Sequence, residues 1–276
     1  FWPDGPRGKK ICSGLTTIDA VLARLSEAEQ QLDDAEAPLS GWQLDPIYMG
    51  NQRLSRGDLD RVSTTRPIEV LHASGHILNV NTKALSLSGL LKSGINHPGI
   101  ALDHEGLPTG ELKGPEVMMS VAGYVGFDRS LTDADAQGLQ DFAKICVCAG
   151  VTTVTDLASR LSDETVEMMQ IVTSAEDFSA RLVPLKLFIG LSSKDLIARV
   201  GELAKLSTDR LRLGKIKIVA DGSIQGFPAR MRWSGYYNGA PNGLWYITPE
   251  QLSEIYHLAL EAGVQVHTHI NGDQAI

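Results

Sequence analysis

Hydrophobic residues near the start of the chain recur at helical spacing. Ile18, Val21, Leu22 and Leu25 fall at positions i, i+3, i+4 and i+7 within TTIDAVLARLSEAEQQL, so they would share one face of a helix. Thr16, with an acidic residue three positions later, resembles a capping box. The pattern predicts an amphipathic first helix.

The periodicity loosens between Gly41 and Arg129. This stretch is rich in Gly, Pro and Asn, and its apolar pieces, such as IEVLHASGHILNV and GELKGPEVMMSV, are short. Glycine and proline interrupt regular elements. We predict an inserted, irregular subdomain over residues 41–129, following a segment 1–40 that holds the first helix of the main domain.

A regular alternation of helices and strands begins at Leu131. The helix patterns open at good N-cap residues, which are Thr132, Ser162 and Thr248. The predicted helices are TDADAQGLQDFAKICVC, SDETVEMMQIV, SSKDLIARVGELAKL and TPEQLSEIYHLALEA, and the strands are VTTVTDL, ARLVPLKLFIG, GKIKIVADG and VQVHTH. Strands separated by helices of this length predict parallel βαβ units over residues 130–276, in an open doubly wound sheet or in part of a (β/α)8 barrel.

Polar residues stand where the predicted strands end. They are Asp156, Lys217 with Asp221, and His267 with His269. The sequence contains no Gly-x-Gly-x-x-Gly after a strand and no Walker-type loop, so nucleotide binding by those motifs is excluded. Catalytic groups at the carboxyl ends of several strands are typical of barrel enzymes, which favours the barrel.

The segment VHTHINGD places two histidines on one face of a strand, because strand side chains alternate. A neutral imidazole at a strand end is a common zinc ligand. The alternative is a hydrogen-bonded structural histidine. The sequence leaves both interpretations open for His269 and favours the structural one for His267.

The segment KIKIVADGS places Lys215 and Lys217 on one face of an apolar strand. A buried ammonium is costly unless it is paired or functional. Lys217 has three interpretations: a Schiff-base nucleophile with a lowered pKa, a lysine carboxylated by CO2 that bridges two metal ions, or a lysine that reaches an ion pair with Asp221 or a neighbouring strand. The residues alone favour the ion pair.

A second polar group lies in HASGHILNVNTKAL, where His72, His76, Asn79 and Asn81 interrupt an apolar segment. They suit either substrate recognition by hydrogen bonds or a network that satisfies buried backbone groups. We assign His76, Asn81 and Asp221 to substrate binding.

Composition narrows the possible partners. With 25 basic and 33 acidic residues the net charge is −8, and no basic run stands out, so neither nucleic acid nor an anionic membrane is expected to bind. Three cysteines, Cys12, Cys146 and Cys148, are too few for a disulfide scaffold and fit a reducing, cytoplasmic location. The helical spacing of Cys146 places it in a core. No Gly-x-Ser-x-Gly elbow or Cys–His pattern suggests nucleophilic catalysis.

Five motifs in order resemble the YtcJ-like branch of the amidohydrolase superfamily, which includes N-substituted formamide deformylases. They are LDRVSTTRPIEVLHASGHILNVNTKAL, GLPTGELKGPEV, GVTTVTD, KIVADGSIQG and GVQVHTHINGDQAI, and they span Leu59 to Ile276. Each motif alone is weak, whereas five in order are fairly specific.

The resemblance implies a (β/α)8 barrel with a large insertion and a small β-sandwich built from both chain ends. It implies metal-dependent hydrolysis of C–N bonds, with one or two divalent ions, zinc above all, that activate water for attack on a small-molecule amide. It places Lys217, in carboxylated form, and His269 at the metal ligands of strands 4 and 5, and His76 at a histidine that faces substrate.

The sequence departs from the family pattern in several ways. The first-strand HxH would precede Phe1, and the strand-6 His and the strand-8 Asp that serves as general base would follow Ile276. Pro228 stands where relatives often have a small polar residue. We therefore expect an internal fragment of a longer protein without the terminal β-sandwich. Its open sheet edges would be covered either by the missing segments or by a partner, such as a second copy in a homo-oligomer. The alternatives to a hydrolase are a non-catalytic homologue that only binds a ligand and a Schiff-base lyase that uses Lys217.

Overall fold

A computed structural model describes residues 15–50, 52–126, 136–232 and 234–276. The chain has an α/β fold and divides into two units, Phe1–Phe127 and Asp128–Ile276. The predicted division into segments 1–40, 41–129 and 130–276 stays a prediction.

The first unit contains helices and strands in irregular alternation. They are α1 (Ile18–Glu29), β1 (Leu39–Leu44), a 3-10 turn (Pro46–Tyr48), α2 (Arg56–Asp60), β2 (Ile68–His72), β3 (Ile77–Val80), α3 (Thr82–Leu87), β4 (Ile100–Leu102), β5 (Pro108–Lys113) and α4 (Pro115–Val125). The first helix is confirmed, but its N-cap is Thr17, whose hydroxyl accepts from the Ala20 N–H, and not the predicted Thr16.

The first unit is built on a five-stranded mixed sheet in the order β1-β2-β3-β5-β4. β1 and β2 pair in parallel, whereas the other neighbours are antiparallel. One hydrophobic cluster packs α4 on the sheet, through Val121 and Leu112 among others, and a second packs α1 through Leu22 and Val70. Most of residues 41–126 thus lie in helices and strands around this sheet, although the sequence pattern of the stretch is loose.

Glu69 is an acidic residue buried in this sheet. Its side chain is 2% exposed, and Oε1 accepts a hydrogen bond from Ser40 Oγ on the neighbouring strand at 2.8 Å. Ser40 also lies 3.5 Å from the Val125 carbonyl at the end of α4. Desolvation makes such a carboxylate costly, and burial raises the pKa of Glu69 to about 7.

The second unit has the regular alternation that the sequence predicts. Its elements are α5 (Ala136–Cys148), β6 (Thr153–Ser159), α6 (Asp163–Ser174), β7 (Arg181–Leu187), α7 (Ser193–Lys205), β8 (Ile216–Val219), α8 (Pro249–Glu261) and β9 (Val266–His269). The N-caps Ser162 and Thr248 are confirmed, since each hydroxyl accepts a backbone N–H three residues on. The predicted cap Thr132 lies outside the described residues. Cys146 is buried on the same helix as Ala143, which confirms its core position.

The strands of the second unit form a parallel sheet in the order β6-β7-β8-β9. The predicted parallel βαβ units are confirmed. The described strands show no reversal of order, which a doubly wound sheet would require at its switch point. Ile216 and Ile218 are fully buried and pack against α7 and α8 through residues such as Leu196 and Ile255. No helix among the described residues is long and apolar enough to cross a membrane.

Candidate functional site

Lys217 lies on the face of β8 that turns away from the helices. Its neighbours Ile216 and Ile218 point into the helix-packed core, and alternation along the strand sends Lys217 to the opposite face. In the parallel ladder, Lys217 stands beside Leu187 of β7 and His267 of β9. The sheet thus presents a lysine and a histidine side by side on this face.

The Lys217 side chain is only 7% exposed. Among the residues that the structure describes, none forms a hydrogen bond or ion pair with its ammonium. The favoured ion pair with Asp221 is therefore wrong, and the physical reason is that backbone N–H groups already occupy the Asp221 carboxylate. Burial without a counter-charge lowers the pKa of Lys217 below its usual range.

His269 stands on the same face, one step further toward the carboxyl end of the sheet. It pairs with Val219 in the ladder and is half-buried. Burial lowers the pKa of His269, the Lys217 charge lowers it further, and Asp221 opposes both. A neutral imidazole results, which is the form that binds metal ions.

His267 lies closer to the amino end of β9 and is exposed. We predicted a hydrogen-bonded structural histidine, but within the described part of the chain its ring has no hydrogen-bond partner. Because β9 is an edge of the described sheet, its side chain is open to solvent beside Lys217.

Asp221 follows β8 and is fully buried. Its Oδ1 accepts from the Asn271 N–H at 2.9 Å, and its Oδ2 accepts from the N–H groups of Arg230 at 2.9 Å and Gly272 at 2.6 Å. These contacts tie the loop after β8 to the turn after β9. Substrate binding by Asp221 stays a prediction, and its observed contacts are all with the chain itself.

Asn271 is the residue of this site that sequence reasoning missed. Its Nδ2 donates to the Gly222 carbonyl at 2.9 Å and lies 2.9 Å from His269 Nε2. The signal was present in the turn sequence INGD, two residues beyond His269, but a turn motif does not show which way its amide points.

The donor set of the second unit matches part of a metal site. Two imidazoles and a lysine with a lowered pKa share one face of the sheet, and neutral nitrogen donors suit zinc. An ammonium has no lone pair, so Lys217 would serve as a ligand only after deprotonation or carboxylation. No group of three or more His, Cys, Asp or Glu residues suited to a metal ion occurs in the described ranges.

The other two predicted site residues belong to the first unit. His76 is half-buried at the start of the second strand of the β2–β3 hairpin. Asn81 is fully buried and caps α3: its Oδ1 accepts from Ile68 N and Ala84 N, and its Nδ2 donates to two backbone carbonyls. Every hydrogen-bonding group of the Asn81 amide is thus used by the backbone, so the geometry gives it a structural role.

A neighbouring network holds His72 and Asn79. Asn79 Nδ2 donates to the Leu54 carbonyl, which leaves its Oδ1 to accept from His72 Nε2 at 2.6 Å. Burial lowers the pKa of His72, so the ring is neutral with its proton on Nε2. Asn79 thus satisfies the Leu54 carbonyl, in line with one of the two sequence interpretations, whereas the buried His72 Nδ1 has no partner among the described residues.

The chain matches the Amidohydrolase family over residues 13–276, and it belongs to that family. Within the family it is YtcJ-like, which confirms the resemblance inferred from the motifs. It is 28% identical to the putative amidohydrolase YtcJ of Bacillus subtilis, over 95% of this chain and 49% of that protein. It is 24% identical to the protein LONG AFTER FAR-RED 3 of Arabidopsis thaliana, over 95% of this chain and 46% of that protein.

Two solved structures share the fold. They are uncharacterized metal-dependent hydrolases from Pyrococcus horikoshii and Pyrococcus furiosus, with TM-scores of 0.53 and 0.50 and 17% identity each. Each match covers 95% of this chain, and 49% and 50% of the two structures. The chain therefore spans about half the length of the relatives it matches.

Proposed function

We propose that this chain is part of a metal-dependent hydrolase that cleaves a C–N bond in a small-molecule amide, such as an N-formyl or N-acyl amine. The observation that carries the proposal is the face shared by Lys217, His267 and His269, where a buried amine without a counter-charge lies beside an imidazole held neutral. Family membership and the metal-dependent hydrolases of similar fold support it.

Lys217 and His269 are the proposed metal ligands. The neutral Lys217 amine would attack CO2 through Nζ, forming an N–C bond and releasing one proton, and the product carbamate is an oxygen donor with a negative charge. The lowered pKa of Lys217 supports this reaction, because it raises the share of the amine in the neutral form that attacks CO2. A bound divalent ion, zinc in this proposal, would supply a water of lowered pKa and polarise the amide carbonyl.

Other residues of the chain would orient the reactants. His76 stands as a proposed substrate contact. Asn81, which we assigned to substrate binding, would instead support the backbone of the first unit, and Asp221, assigned likewise, would support the backbone around His269. A (β/α)8 barrel, a cytoplasmic location and a homo-oligomer also stand as proposals.

The proposal is tested on the full-length protein by metal analysis together with a panel of N-formyl and N-acyl amines. We expect bound divalent metal, activity that chelation removes, and loss of both in Lys217→Gln. The matched control is Lys215→Gln, which changes a lysine two residues away on the same face whose ammonium contacts Gln265. His269→Asn should behave like Lys217→Gln, whereas His257→Asn, on the exposed face of α8, should retain metal and activity. A metal-free, inactive full-length protein would overturn the proposal.

A Schiff-base lyase is the second candidate, because the lowered pKa of Lys217 also favours attack by its amine on a carbonyl carbon. Borohydride reduction in the presence of a panel of aldehydes and ketones would then leave a stable adduct on Lys217. Mass spectrometry that finds no adduct at Lys217 dismisses this candidate. A bicarbonate requirement for metal binding would instead favour the carbamate.

A further inference from the structure

Three backbone segments converge on the Asp221 carboxylate. The loop after β8 contributes the side chain, the segment at Arg230 contributes one N–H, and the turn after β9 contributes two, from Asn271 and Gly272. A carboxylate that accepts three backbone N–H bonds in a buried site holds those segments in one relative position. The Asp221 side chain is therefore one of the contacts that fix the turn after His269.

The same turn makes a close backbone contact that leaves no room for a side chain. A Cβ atom added at Gly272 would lie 1.9 Å from the Arg230 carbonyl oxygen. The Gln274 N–H donates to that same oxygen at 3.1 Å, and the Arg232 N–H donates to Asp273 Oδ1 at 2.8 Å. The turn is thus docked along residues 230–232, and the position of Asn271 is determined by backbone contacts on both sides.

The orientation of the Asn271 amide sets the tautomer of His269. The Gly222 carbonyl can only accept, so the atom that faces it must be the amide nitrogen. The same nitrogen lies against His269 Nε2, which must then accept and carry no proton. The neutral imidazole therefore has its proton on Nδ1, and rotation of the amide would set two carbonyl oxygens against each other.

We infer that Asp221 is a positioning residue that acts on His269 through the 270–272 turn and Asn271, and is not a substrate contact. Its two oxygens are committed to three backbone donors, and its side chain is fully buried. The effect of Asp221 on metal binding rests on the proposed function. Its effect on the orientation of the His269 ring does not. A metal ion that bound through Nε2 would displace the Asn271 amide and would meet an imidazole ring that is already oriented.

The test compares Asp221→Asn, Asn271→Ala and a control in the full-length protein. Asp221→Asn turns one oxygen into an amide N–H that faces backbone donors, which should release the turn. Asn271→Ala retains the backbone bonds to Asp221 and removes only the amide. The control is Asp103→Asn in the first unit, since Asp103 also holds a turn by accepting backbone N–H groups, from Glu105 and Leu107.

Two readouts separate positioning from a general loss of structure. Nitrogen-15 NMR of the imidazole in metal-free protein reports the His269 tautomer, and Zn2+ titration against a chromogenic chelator reports affinity. We expect both test variants to lose the preference for Nδ1–H, with the control unchanged. We expect Asp221→Asn to bind Zn2+ about 10 to 100-fold more weakly, because the released turn no longer orients the ring. Should Asp221→Asn fail to fold, Asn271→Ala still tests the inference, because Asp221 is proposed to act on His269 through the Asn271 amide.

A His269 ring that keeps its tautomer in folded Asp221→Asn and in Asn271→Ala would overturn the inference. An equal change of the His269 tautomer in Asp103→Asn would also overturn the inference. Failure of the wild-type protein to bind Zn2+ contradicts the proposed function instead, and the NMR comparison still decides whether Asp221 positions His269.

Discussion

The stability of the first unit should depend on pH through Glu69. Its carboxyl is 2% exposed, Oε1 accepts from Ser40, and Oε2 has no hydrogen-bond partner among the described residues. Burial raises the pKa of Glu69 from its ordinary value of 4.5 to about 7, and the Ser40 hydrogen bond opposes the rise. Between pH 4.5 and about pH 7, Glu69 is therefore protonated in the folded protein and ionised in the unfolded chain.

The direction of the effect follows from which state ionises first. Below pH 4.5 both states hold the proton, so Glu69 leaves the free energy of unfolding unchanged. As the pH rises from 4.5 to 7 the unfolded chain ionises first and stability falls, and above pH 7 the loss is complete. At about 1.4 kcal/mol per pKa unit the full loss is about 3 kcal/mol, of which about 2.5 kcal/mol falls between pH 5 and pH 8.

Glu69→Gln removes the titration while keeping the shape of the side chain. The assay is native-state hydrogen exchange of the β2 amides at pH 5 to 8, which reports the free energy of opening of the first unit. We expect the free energy of opening of the variant, relative to that of the wild type, to rise by about 2.5 kcal/mol from pH 5 to pH 8. A constant difference introduced by the new amide does not affect this change with pH. Glu116→Gln, at a position 90% exposed in the same unit, controls for the change in net charge. Parallel pH profiles for the wild type and Glu69→Gln would refute the reasoning.

Three further substitutions test the structural assignments. Asn81→Ala removes the cap of α3 and leaves buried backbone groups without partners. Urea unfolding should therefore show a loss of stability of about 2–4 kcal/mol, and substrate affinity should not change. A rise in KM without a loss of stability would instead support a role of Asn81 in substrate binding. Gly272→Ala sets a methyl group against the Arg230 carbonyl, so residues 270–275 should exchange amide hydrogens faster, and unchanged exchange would contradict the docked turn. Thr248→Ala should lower stability by about 1 kcal/mol through loss of the α8 cap, which urea unfolding would measure.

The second unit could be predicted from sequence because its signals are local. Helices such as α8 begin at a capping hydroxyl and end before a glycine. The runs of β-branched residues between the helices predict the strands. The strands of the first unit gave no such signal. β3 is buried at every position and β2 at all but one, so neither alternates, and short loops with glycines at positive φ join them.

The candidate site was predictable only where regular strand geometry positions the side chains. The shared face of Lys217 and His269 followed from strand alternation and parallel pairing. The ion pair between Lys217 and Asp221 did not hold, because the donors that occupy this carboxylate come from 9, 50 and 51 residues further along the chain. These contacts join loops and turns, and how loops dock is not encoded in the residue pattern. Asn81, by contrast, precedes a helical segment and has the cap signal that we read as substrate chemistry.

The sequential order of the parallel strands bears on how this unit is made during translation. The ladder joins residue 153 to 181, 186 to 216 and 216 to 266, so each strand pairs with the one synthesised just before it. Each described strand of this sheet pairs with its neighbour in sequence, and the longest connection is the segment between β8 and β9, residues 220–265. Growth of the sheet can therefore keep pace with the ribosome, with each new edge covered as the next strand and helix emerge. Nascent chains arrested after β8 should already protect the amides of β7 from exchange.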